Sequence, residues 1–355
     1  MQSAADDEVL IRREGRAGRI TMNRPKALNA LTPPMVRRIW DALLAWRDDA
    51  AVELVLIDGA GERGLCAGGD VRALYDSRER GSGFARAFWS EEYRLNALIG
   101  RYPKPYVAIQ DGIVMGGGIG LSGHARHRIV TERSQLAMPE TGIGLIPDVG
   151  GTWLLARAPG EAGIYLGLTG EVMRAADAIC ARFSDAFVPS ARVGELIARL
   201  VDKGGGAVPA AIAAAAEDPG PSPLAALRVD IDRVFGGQTV EAVLEALSAA
   251  PGAWAQKTAT ALAQKSPKAL KLTLAAIRQA RGLGSLEDAL NVEYRLTVRL
   301  FEDGEFPEGV RALIVDKDRK PKWQPPRLAD MGAELAAAYL APLPAGEELG
   351  LSPPR

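Results

Sequence analysis

The chain has few of the side chains on which common catalytic and metal sites depend. Its 355 residues include only two histidines and two cysteines, so a zinc site of the Cys/His type would consume the whole supply. Two cysteines also exclude a disulfide framework, and so low a content is typical of a reducing compartment. A carboxylate is therefore a better candidate than histidine for any catalytic base.

The chain also lacks an excess of charge and any long apolar run. Its 43 Lys and Arg residues are balanced by 44 Asp and Glu residues, which gives no indication of nucleic acid as a partner. No segment reaches the ~18 apolar residues of a membrane span. The first twenty residues, with Asp6, Asp7 and Glu8, lack the apolar stretch of a signal peptide. We therefore expect a soluble, cytoplasmic protein that acts on a small molecule and binds neither nucleic acid nor membrane.

Short apolar runs alternate with helical patterns up to about residue 190, which is typical of an α/β domain. We expect paired strands at 9–12 and 20–22, a helix from 33 to about 48 capped by Thr32, and a buried strand at 54–57. The cycle repeats, with strands at 105–109 and 127–131. We expect a core over residues 1–250, with a Pro-rich loop or insertion near 218–223. A helical region over 251–330 and a loosely ordered, Ala/Pro-rich tail over 331–355 would follow.

Two glycine-rich segments each lie between a predicted strand and a predicted helix. The first is Cys66–Asp70, and the second is Asp111–Gly120, with three consecutive glycines at 116–118. Amides there are not shielded by side chains, so one amide from each turn could stabilise a negative charge on a carbonyl oxygen. A plain strand-to-helix turn, or a helix start packed closely on a strand, would use the same glycines. The GxGxxG match at 118–123 is only a weak indication of dinucleotide binding, because the next strand follows too soon for a crossover helix.

Two carboxylates, Glu140 and Asp148, lie in an otherwise apolar, glycine-rich stretch over residues 138–151. Partial burial would tune such an acid toward a pKa that is useful in acid–base catalysis. Two structural roles compete with this one: Glu140 as the cap of a turn, and Asp148 as the cap of a helix from Gly150 to about Arg157. The residues alone leave these roles open.

Several motifs occur in the order found in one known superfamily. They are NRPKALNA at 23–30, AGGD at 67–70, MGGG at 115–118 and MPE at 138–140. With them the chain resembles the crotonase (enoyl-CoA hydratase/isomerase) superfamily, most closely its 3-hydroxyisobutyryl-CoA hydrolase branch. Segments at 91–93, 144–151, 291–296, 308–312 and 316–323 extend the resemblance from about residue 8 to 326. It implies an α/β fold, a spiral of stacked ββα units with a helical C-terminal region, and an acyl-CoA substrate.

The resemblance also implies roles for individual residues. It gives the oxyanion amides to Gly69 and Gly117, the catalytic carboxyls to Glu140 and Asp148, and a place beside the acyl group to Glu92. The other predicted substrate contacts are Lys26, Ala27, Leu28, Ala67, Asp70 and, near the CoA phosphates, Lys317. We expect no metal and no cofactor apart from the CoA of the substrate. Proteins of this fold commonly form trimers and hexamers, so the resemblance also suggests a homo-oligomer.

One departure from the hydratases of the superfamily predicts the reaction. Hydratases use two glutamates, and one of them stands where this chain has Gly120. We therefore expect hydrolysis of a short 3-hydroxyacyl-CoA, with 3-hydroxyisobutyryl-CoA of valine breakdown as the leading substrate. Glu140 would activate water or attack as a nucleophile, and Asp148 would orient the water or hold the 3-hydroxyl. Hydration or isomerisation of an enoyl-CoA is the alternative in the same superfamily, and CoA binding without catalysis is the alternative from another class.

Overall fold

The computed structural model of the chain describes residues 8–353. These residues form two compact units. The first comprises residues up to 69 together with 94–137 and 172–223, and the second comprises 70–93, 138–171 and the residues from 224 onward. The boundaries that we expect at residues 250 and 330 stay predictions.

The strands belong to the first unit and form two sheets. Within residues 8–353 they are β1 (Val9–Glu14), β2 (Ala17–Met22), β3 (Leu54–Gly59), β4 (Tyr106–Gln110), β5 (Ile113–Met115), β6 (His127–Val130), β7 (Gln135–Ala137) and β8 (Ala186–Phe187). The larger sheet has the order β1-β2-β3-β4-β6-β8, and β5 pairs with β7. β1 and β2 are antiparallel, with Val9 opposite Met22, and the other pairs are parallel. The predicted strand pair and the repeated strand–helix cycle are confirmed.

Helices dominate the remainder of the described chain. They are α1 (Pro33–Arg47), α2 (Val71–Ser77), α3 (Gly83–Gly100), α4 (Gly117–Ser122), α5 (Gly151–Arg157), α6 (Ala162–Thr169), α7 (Ala175–Cys180), α8 (Ser190–Lys203), α9 (Val208–Ala215), α10 (Pro223–Ala226), α11 (Arg228–Phe235), α12 (Val240–Ala249), α13 (Ala253–Ala263), α14 (Pro267–Ala280), α15 (Leu286–Glu302), α16 (Glu305–Val310) and α17 (Ala333–Leu340). None of the helices in residues 8–353 is both long and apolar enough to cross a membrane.

In the first unit, local sequence signals and apolar burial place the sheet and its helices. Thr32 caps α1 as predicted, since its side chain accepts a hydrogen bond from the Met35 N–H. The predicted apolar face of α1 is buried, and its Trp46 ring packs on β2 where Gly18 leaves room. A buried cluster joins β2, β3, β4 and β6 to α8 and α9 and includes Leu54, Val107 and Leu200. Each such side chain contributes roughly 2 kcal/mol when it is buried.

In the second unit, α15 packs against α5, α14, α16 and α17. Ser285 begins this helix as predicted, since its hydroxyl accepts from the Asp288 N–H (3.1 Å) and donates to the Asp288 carboxylate (2.7 Å). The long amphipathic helix therefore has a fixed start. Its central position allows side chains on different faces of α15 to contact different parts of the unit.

The expectation of a loosely ordered tail after Met331 is wrong for the described residues. The tail forms α17 and continues along α15, where the Asn291 side-chain amide exchanges two hydrogen bonds with the Leu351 backbone (2.9 and 3.0 Å). Arg295 pairs with Glu348 (2.9 Å), and Leu349 is only 2% exposed. Composition alone predicts a poorly packed segment, but polar side chains of α15 supply the partners that order it.

Candidate active site

The two glycine turns predicted from the sequence lie side by side in the first unit. The Cys66 N–H donates to the Ile113 carbonyl (3.2 Å), and the Met115 N–H donates to the Cys66 carbonyl (3.0 Å). A Cβ atom at Gly118 would lie 2.2 Å from the Cys66 carbonyl oxygen, so only glycine fits there. A Cβ atom at Gly68 would stand 3.9 Å from the Gly117 nitrogen. The close-packing interpretation of these glycines is therefore correct, and it also brings the backbones of both turns together.

The two amides given the oxyanion role, those of Gly69 and Gly117, donate no hydrogen bond to another group within residues 8–353. Neighbouring groups make the local bonds instead: Leu31 N–H donates to the Gly68 carbonyl (2.9 Å), and Gly120 N–H donates to the Gly116 carbonyl (3.1 Å). Gly117 is the first residue of α4, where the helix leaves its first amides unpaired. Both N–H groups are free donors for a ligand oxygen.

The predicted CoA contacts of the first unit also meet. Lys26 and Ala27 lie exposed in a 3₁₀ turn, and the Ala67 N–H donates to the Leu28 carbonyl (3.0 Å). The Arg63 guanidinium donates to the Lys26 carbonyl (3.0 Å), which adds an exposed cation that the sequence reasoning did not select. These residues form one surface next to the first glycine turn.

Two predicted contacts lie in the second unit. Asp70 caps α2, since its carboxylate accepts from the Ala73 N–H (3.2 Å). Lys317 is exposed and has a φ of 56°, in the left-handed region. The structure thus gives Asp70 a helix-capping role, and the contacts of both side chains with CoA stay predictions.

Three of the four acidic residues singled out in the sequence, Glu92, Glu140 and Asp148, are buried in the second unit. Glu92 lies on α3, Glu140 begins the 3₁₀ turn Glu140–Ile143, and Asp148 precedes α5. Their exposed fractions are 2%, 5% and 5%. Burial, and after it the charge of Asp148, raises the pKa of both glutamates well above the usual range. Repulsion from Asp148 on both glutamates shows that the three carboxyls form one electrostatic cluster.

Asp148 is the acid of this cluster that ionises most easily. Burial raises the pKa of its carboxyl to about 6, while hydrogen bonding opposes that rise. The Tyr93 hydroxyl donates to Asp148 Oδ2 at 2.7 Å. At neutral pH, Asp148 therefore carries the negative charge, and both glutamates are biased toward their protonated forms.

Two oxygens of the cluster lack partners. Glu92 Oε1 and Glu140 Oε2 are buried and have no hydrogen bond within the described residues. Leaving such a group unpaired costs roughly 1–3 kcal/mol, and the rare cases in native proteins call for a specific explanation. The arrangement leaves both oxygens available to a water molecule or to polar groups of a ligand.

Lys265, which the sequence reasoning missed, adds a positive charge close to Glu140. Its Nζ lies 3.4 Å from where a Cβ atom of Gly142 would stand and 3.5 Å from the same point at Gly170. Burial lowers the pKa of Lys265, and its ammonium in turn lowers the pKa of Glu140. Lys265 therefore favours an ionised Glu140 against the effect of burial. It lies 125 residues further along the chain, so no local motif links the two.

The helix-capping role considered for Asp148 is wrong, because Glu293 of α15 caps α5. The Gly150 N–H donates to Glu293 Oε2 (2.7 Å), and the Thr152 N–H donates to Oε1 (2.9 Å). The Thr152 hydroxyl also donates to Oε1. The 3₁₀ turn begun by Glu140 has no side-chain cap either. Tyr93 and Glu293 both lie in segments of the family resemblance, but their contacts with this loop need the tertiary structure.

Within residues 8–353, no group of three or more His, Cys, Asp or Glu side chains has the arrangement of a metal site. The first unit offers the free amides of Gly69 and Gly117. The second unit offers the buried carboxyls, the Tyr93 hydroxyl and the Lys265 ammonium. Amides that are free to donate and carboxyls with raised pKa values are the groups used in acyl transfer to water.

Comparison with known proteins assigns the family. The family model described as enoyl-CoA hydratase/isomerase matches residues 17–340. The chain belongs to the enoyl-CoA hydratase/isomerase family. The predicted resemblance to the crotonase superfamily is thereby confirmed.

Relatives within this family carry hydrolase names. A Danio rerio protein named 3-hydroxyisobutyryl-CoA hydrolase, mitochondrial, is 42% identical over 342 residues, covering 94% of this chain and 89% of the relative. The Homo sapiens protein of the same name is 38% identical, covering 93% of this chain and 87% of the relative.

Two solved structures confirm the predicted fold. A carnitinyl-CoA dehydratase from Mycobacterium thermoresistibile has a TM-score of 0.92 and 48% identity, covering 97% of this chain and 98% of that one. An enoyl-CoA hydratase from Rhodobacter sphaeroides 2.4.1 has a TM-score of 0.91 and 45% identity, and the match covers 97% of this chain and 100% of that one.

Proposed function

We propose that the protein hydrolyses the thioester of a short 3-hydroxyacyl-CoA, with 3-hydroxyisobutyryl-CoA as its substrate. The observation that carries this proposal is the buried Glu140 carboxyl, which has an unpartnered oxygen and lies in one electrostatic cluster with Asp148. Relatives named 3-hydroxyisobutyryl-CoA hydrolase, 36% to 42% identical to this chain, support the choice of substrate.

In the proposed reaction, the amides of Gly69 and Gly117 donate to the thioester carbonyl oxygen. Negative charge develops on that oxygen when the carbonyl carbon becomes tetrahedral. Donors that are already in place stabilise this charge, and loss of one such donor typically costs about 100- to 1000-fold in rate. Their freedom from other hydrogen bonds supports this role.

Glu140 supplies the nucleophile. It either takes a proton from the attacking water or attacks the carbonyl carbon itself to form an anhydride that water then opens. A carboxyl of raised pKa is a stronger base than an exposed one, and the nearby Lys265 limits the fraction that is protonated. Collapse of the tetrahedral intermediate breaks the carbon–sulfur bond. In the general-base route, the proton that Glu140 took from water passes to the leaving CoA thiolate; in the anhydride route, the water that opens the anhydride supplies that proton.

The ionised Asp148 orients the water or accepts a hydrogen bond from the 3-hydroxyl of the substrate. The hydroxyl of Tyr93 donates to one of its oxygens, and this bond restricts the direction of the carboxylate. Glu92, whose Oε1 is unpartnered, borders the acyl group in this proposal.

Hydration of an enoyl-CoA is the second candidate, because the two solved structures at 48% and 45% identity are described as a dehydratase and a hydratase. Against it stands Gly120, which is buried within α4 and offers no side chain where hydratases of the superfamily have a glutamate. A CoA-binding protein without catalysis is the third candidate.

Release of thiol from 3-hydroxyisobutyryl-CoA, measured beside hydration of crotonyl-CoA, tests the proposal. We expect thiol release by the wild type and a loss of about 100- to 10,000-fold in kcat for Glu140→Gln. Glu245→Gln is the matched control, since Glu245 is exposed on α12. Hydration without thiol release would support the second candidate, and CoA binding without either reaction would support the third.

The location, assembly and cofactor needs of the protein are expectations from the sequence. The relatives are named as mitochondrial proteins, which does not support the predicted cytoplasmic location. That location, a homo-oligomer of three or six chains and the lack of any cofactor beyond the CoA of the substrate stay predictions.

A further inference from the structure

The loop that carries Asp148 has a backbone conformation that a valine adopts only under constraint. Val149 has a φ of 54° and Gly150 a φ of 79°, so two consecutive residues are left-handed. A left-handed, β-branched residue costs of order 1–3 kcal/mol and persists only where its surroundings hold it. The residue next to the proposed catalytic Asp148 is therefore held by contacts from elsewhere in the unit.

Glu293 supplies such contacts from α15. Its side chain is completely buried, and its two carboxylate oxygens accept from the Gly150 N–H, the Thr152 N–H and the Thr152 hydroxyl. These donors begin two residues after Asp148. Burial raises the pKa of Glu293 to about 8, but its hydrogen bonds with Thr152 and Gly150 oppose that rise. In accepting these bonds, its oxygens satisfy N–H groups at the helix start that otherwise have no partner. The carboxylate therefore fixes the backbone just beyond Val149.

The same helix also contacts Tyr93, whose hydroxyl donates to Asp148. Thr297 lies one turn after Glu293, and its Oγ1 is 3.4 Å from the Tyr93 hydroxyl that donates to Asp148. The rings of Tyr93 and Tyr294 pack edge to face, with centroids 6.2 Å apart. α15 thus fixes both the backbone after Asp148 and the hydroxyl that orients its carboxylate.

We propose that Glu293 is a positioning residue, which holds the Val149–Thr152 backbone so that Asp148 meets the substrate in its productive direction. This inference rests on the proposed thioester hydrolysis. Glu293 itself touches neither substrate nor water in this account. Its effect on catalysis passes entirely through Asp148, which makes the inference testable by combining substitutions.

Glu293→Gln is the main test. The glutamine side chain keeps the volume of glutamate and one acceptor oxygen, but its NH2 group cannot accept a hydrogen bond from a backbone N–H. The substitution therefore removes part of the hydrogen bonding to Gly150 and Thr152. We expect kcat for thiol release to fall about 10- to 100-fold, with KM changed by less than about 3-fold, because a displacement of ~1 Å costs of this order. In the Asp148→Asn background, the same substitution should change kcat by less than about 2-fold.

Asn291→Ala is the control for a merely structural role. It removes the bonds between α15 and Leu351, away from the loop. We expect it to lower the melting temperature and leave kcat unchanged. If Glu293→Gln does not fold, Thr152→Val gives the same test, because it removes only the hydroxyl donor to Glu293 and its effect should also vanish beside Asp148→Asn.

The positioning role is overturned if the fold-losses in kcat caused by Glu293→Gln and Asp148→Asn multiply in the double variant. It is also overturned if the Glu293→Gln variant keeps full kcat. For Thr152→Val, multiplying effects would do the same. Absence of thiol release by the wild type would instead overturn the proposed function, and with it the role of Glu293. The two failures are therefore distinguishable in one set of assays.

Discussion

Replacing Asp148 by asparagine is expected to stabilise the folded protein at neutral pH while it lowers catalysis. Burial raises the pKa of this carboxyl from its ordinary value of 3.8 to about 6, although the Tyr93 hydroxyl favours the ionised form. The folded state therefore binds the proton more tightly than the unfolded state does. As pH rises from 3.8 through 6, ionisation of Asp148 destabilises the fold. At ~1.4 kcal/mol per unit of pKa shift, the total loss is about 3 kcal/mol.

Asparagine has the shape of the aspartate, lacks the charge, and retains an oxygen that can accept from Tyr93. The free energy of unfolding of Asp148→Asn should therefore exceed that of the wild type by up to about 3 kcal/mol above pH 7. The gain should shrink toward zero as pH falls to 4 and below, where Asp148 becomes protonated in the unfolded state as it already is in the folded state. Loss of the charge also lowers the pKa of Glu92 and of Glu140, which adds to the gain at neutral pH.

Urea unfolding of both proteins at pH 7.5 and near pH 4 measures the difference. Asp76→Asn is a control, since Asp76 is exposed and pairs with Arg72 on the surface. It should show no comparable gain, because exposed pairs contribute less than about 1 kcal/mol. An Asp148→Asn variant that is no more stable than the wild type at pH 7.5, or one whose gain persists undiminished near pH 4, would refute the reasoning.

Three further predictions follow from other contacts. Lys265→Met should raise the pKa of Glu140 and move the acidic limb of the kcat/KM profile to higher pH; an unmoved limb would show that Lys265 does not act on Glu140. Gly118→Ala should lower the melting temperature and thiol release together, because the new Cβ would lie 2.2 Å from the Cys66 carbonyl oxygen; wild-type values of both would contradict this. Deletion of the residues after 332 should lower the urea midpoint by exposing α15, whereas an unchanged midpoint would mean that the tail contributes no stability.

Features that depend on local sequence could be predicted. Thr32 and Ser285 are side chains that cap the first turn of a helix from within three residues, so their roles follow from spacing alone. The glycine turns could be predicted because three consecutive glycines beside a strand indicate a close approach of two backbones. The contact of Gly118 with the Cys66 carbonyl shows this approach.

Features that depend on distant contacts could not be predicted. Glu293 caps a helix that begins more than 140 residues earlier, and Lys265 reaches Glu140 from the end of another helix. The tail was expected to be loosely ordered because its sequence is rich in Ala and Pro. Its order comes from contacts with Asn291 and Arg295 of α15, and these partners lie outside the tail sequence.

Thiol release from 3-hydroxyisobutyryl-CoA by the wild type and by Glu140→Gln tests the central claim most directly. The account predicts stoichiometric release of CoA by the wild type and a loss of about 100- to 10,000-fold for the variant, whose melting temperature should be no lower than that of the wild type. Equal thiol release by the two proteins, or conversion of an enoyl-CoA by the wild type without any thiol release, would contradict it.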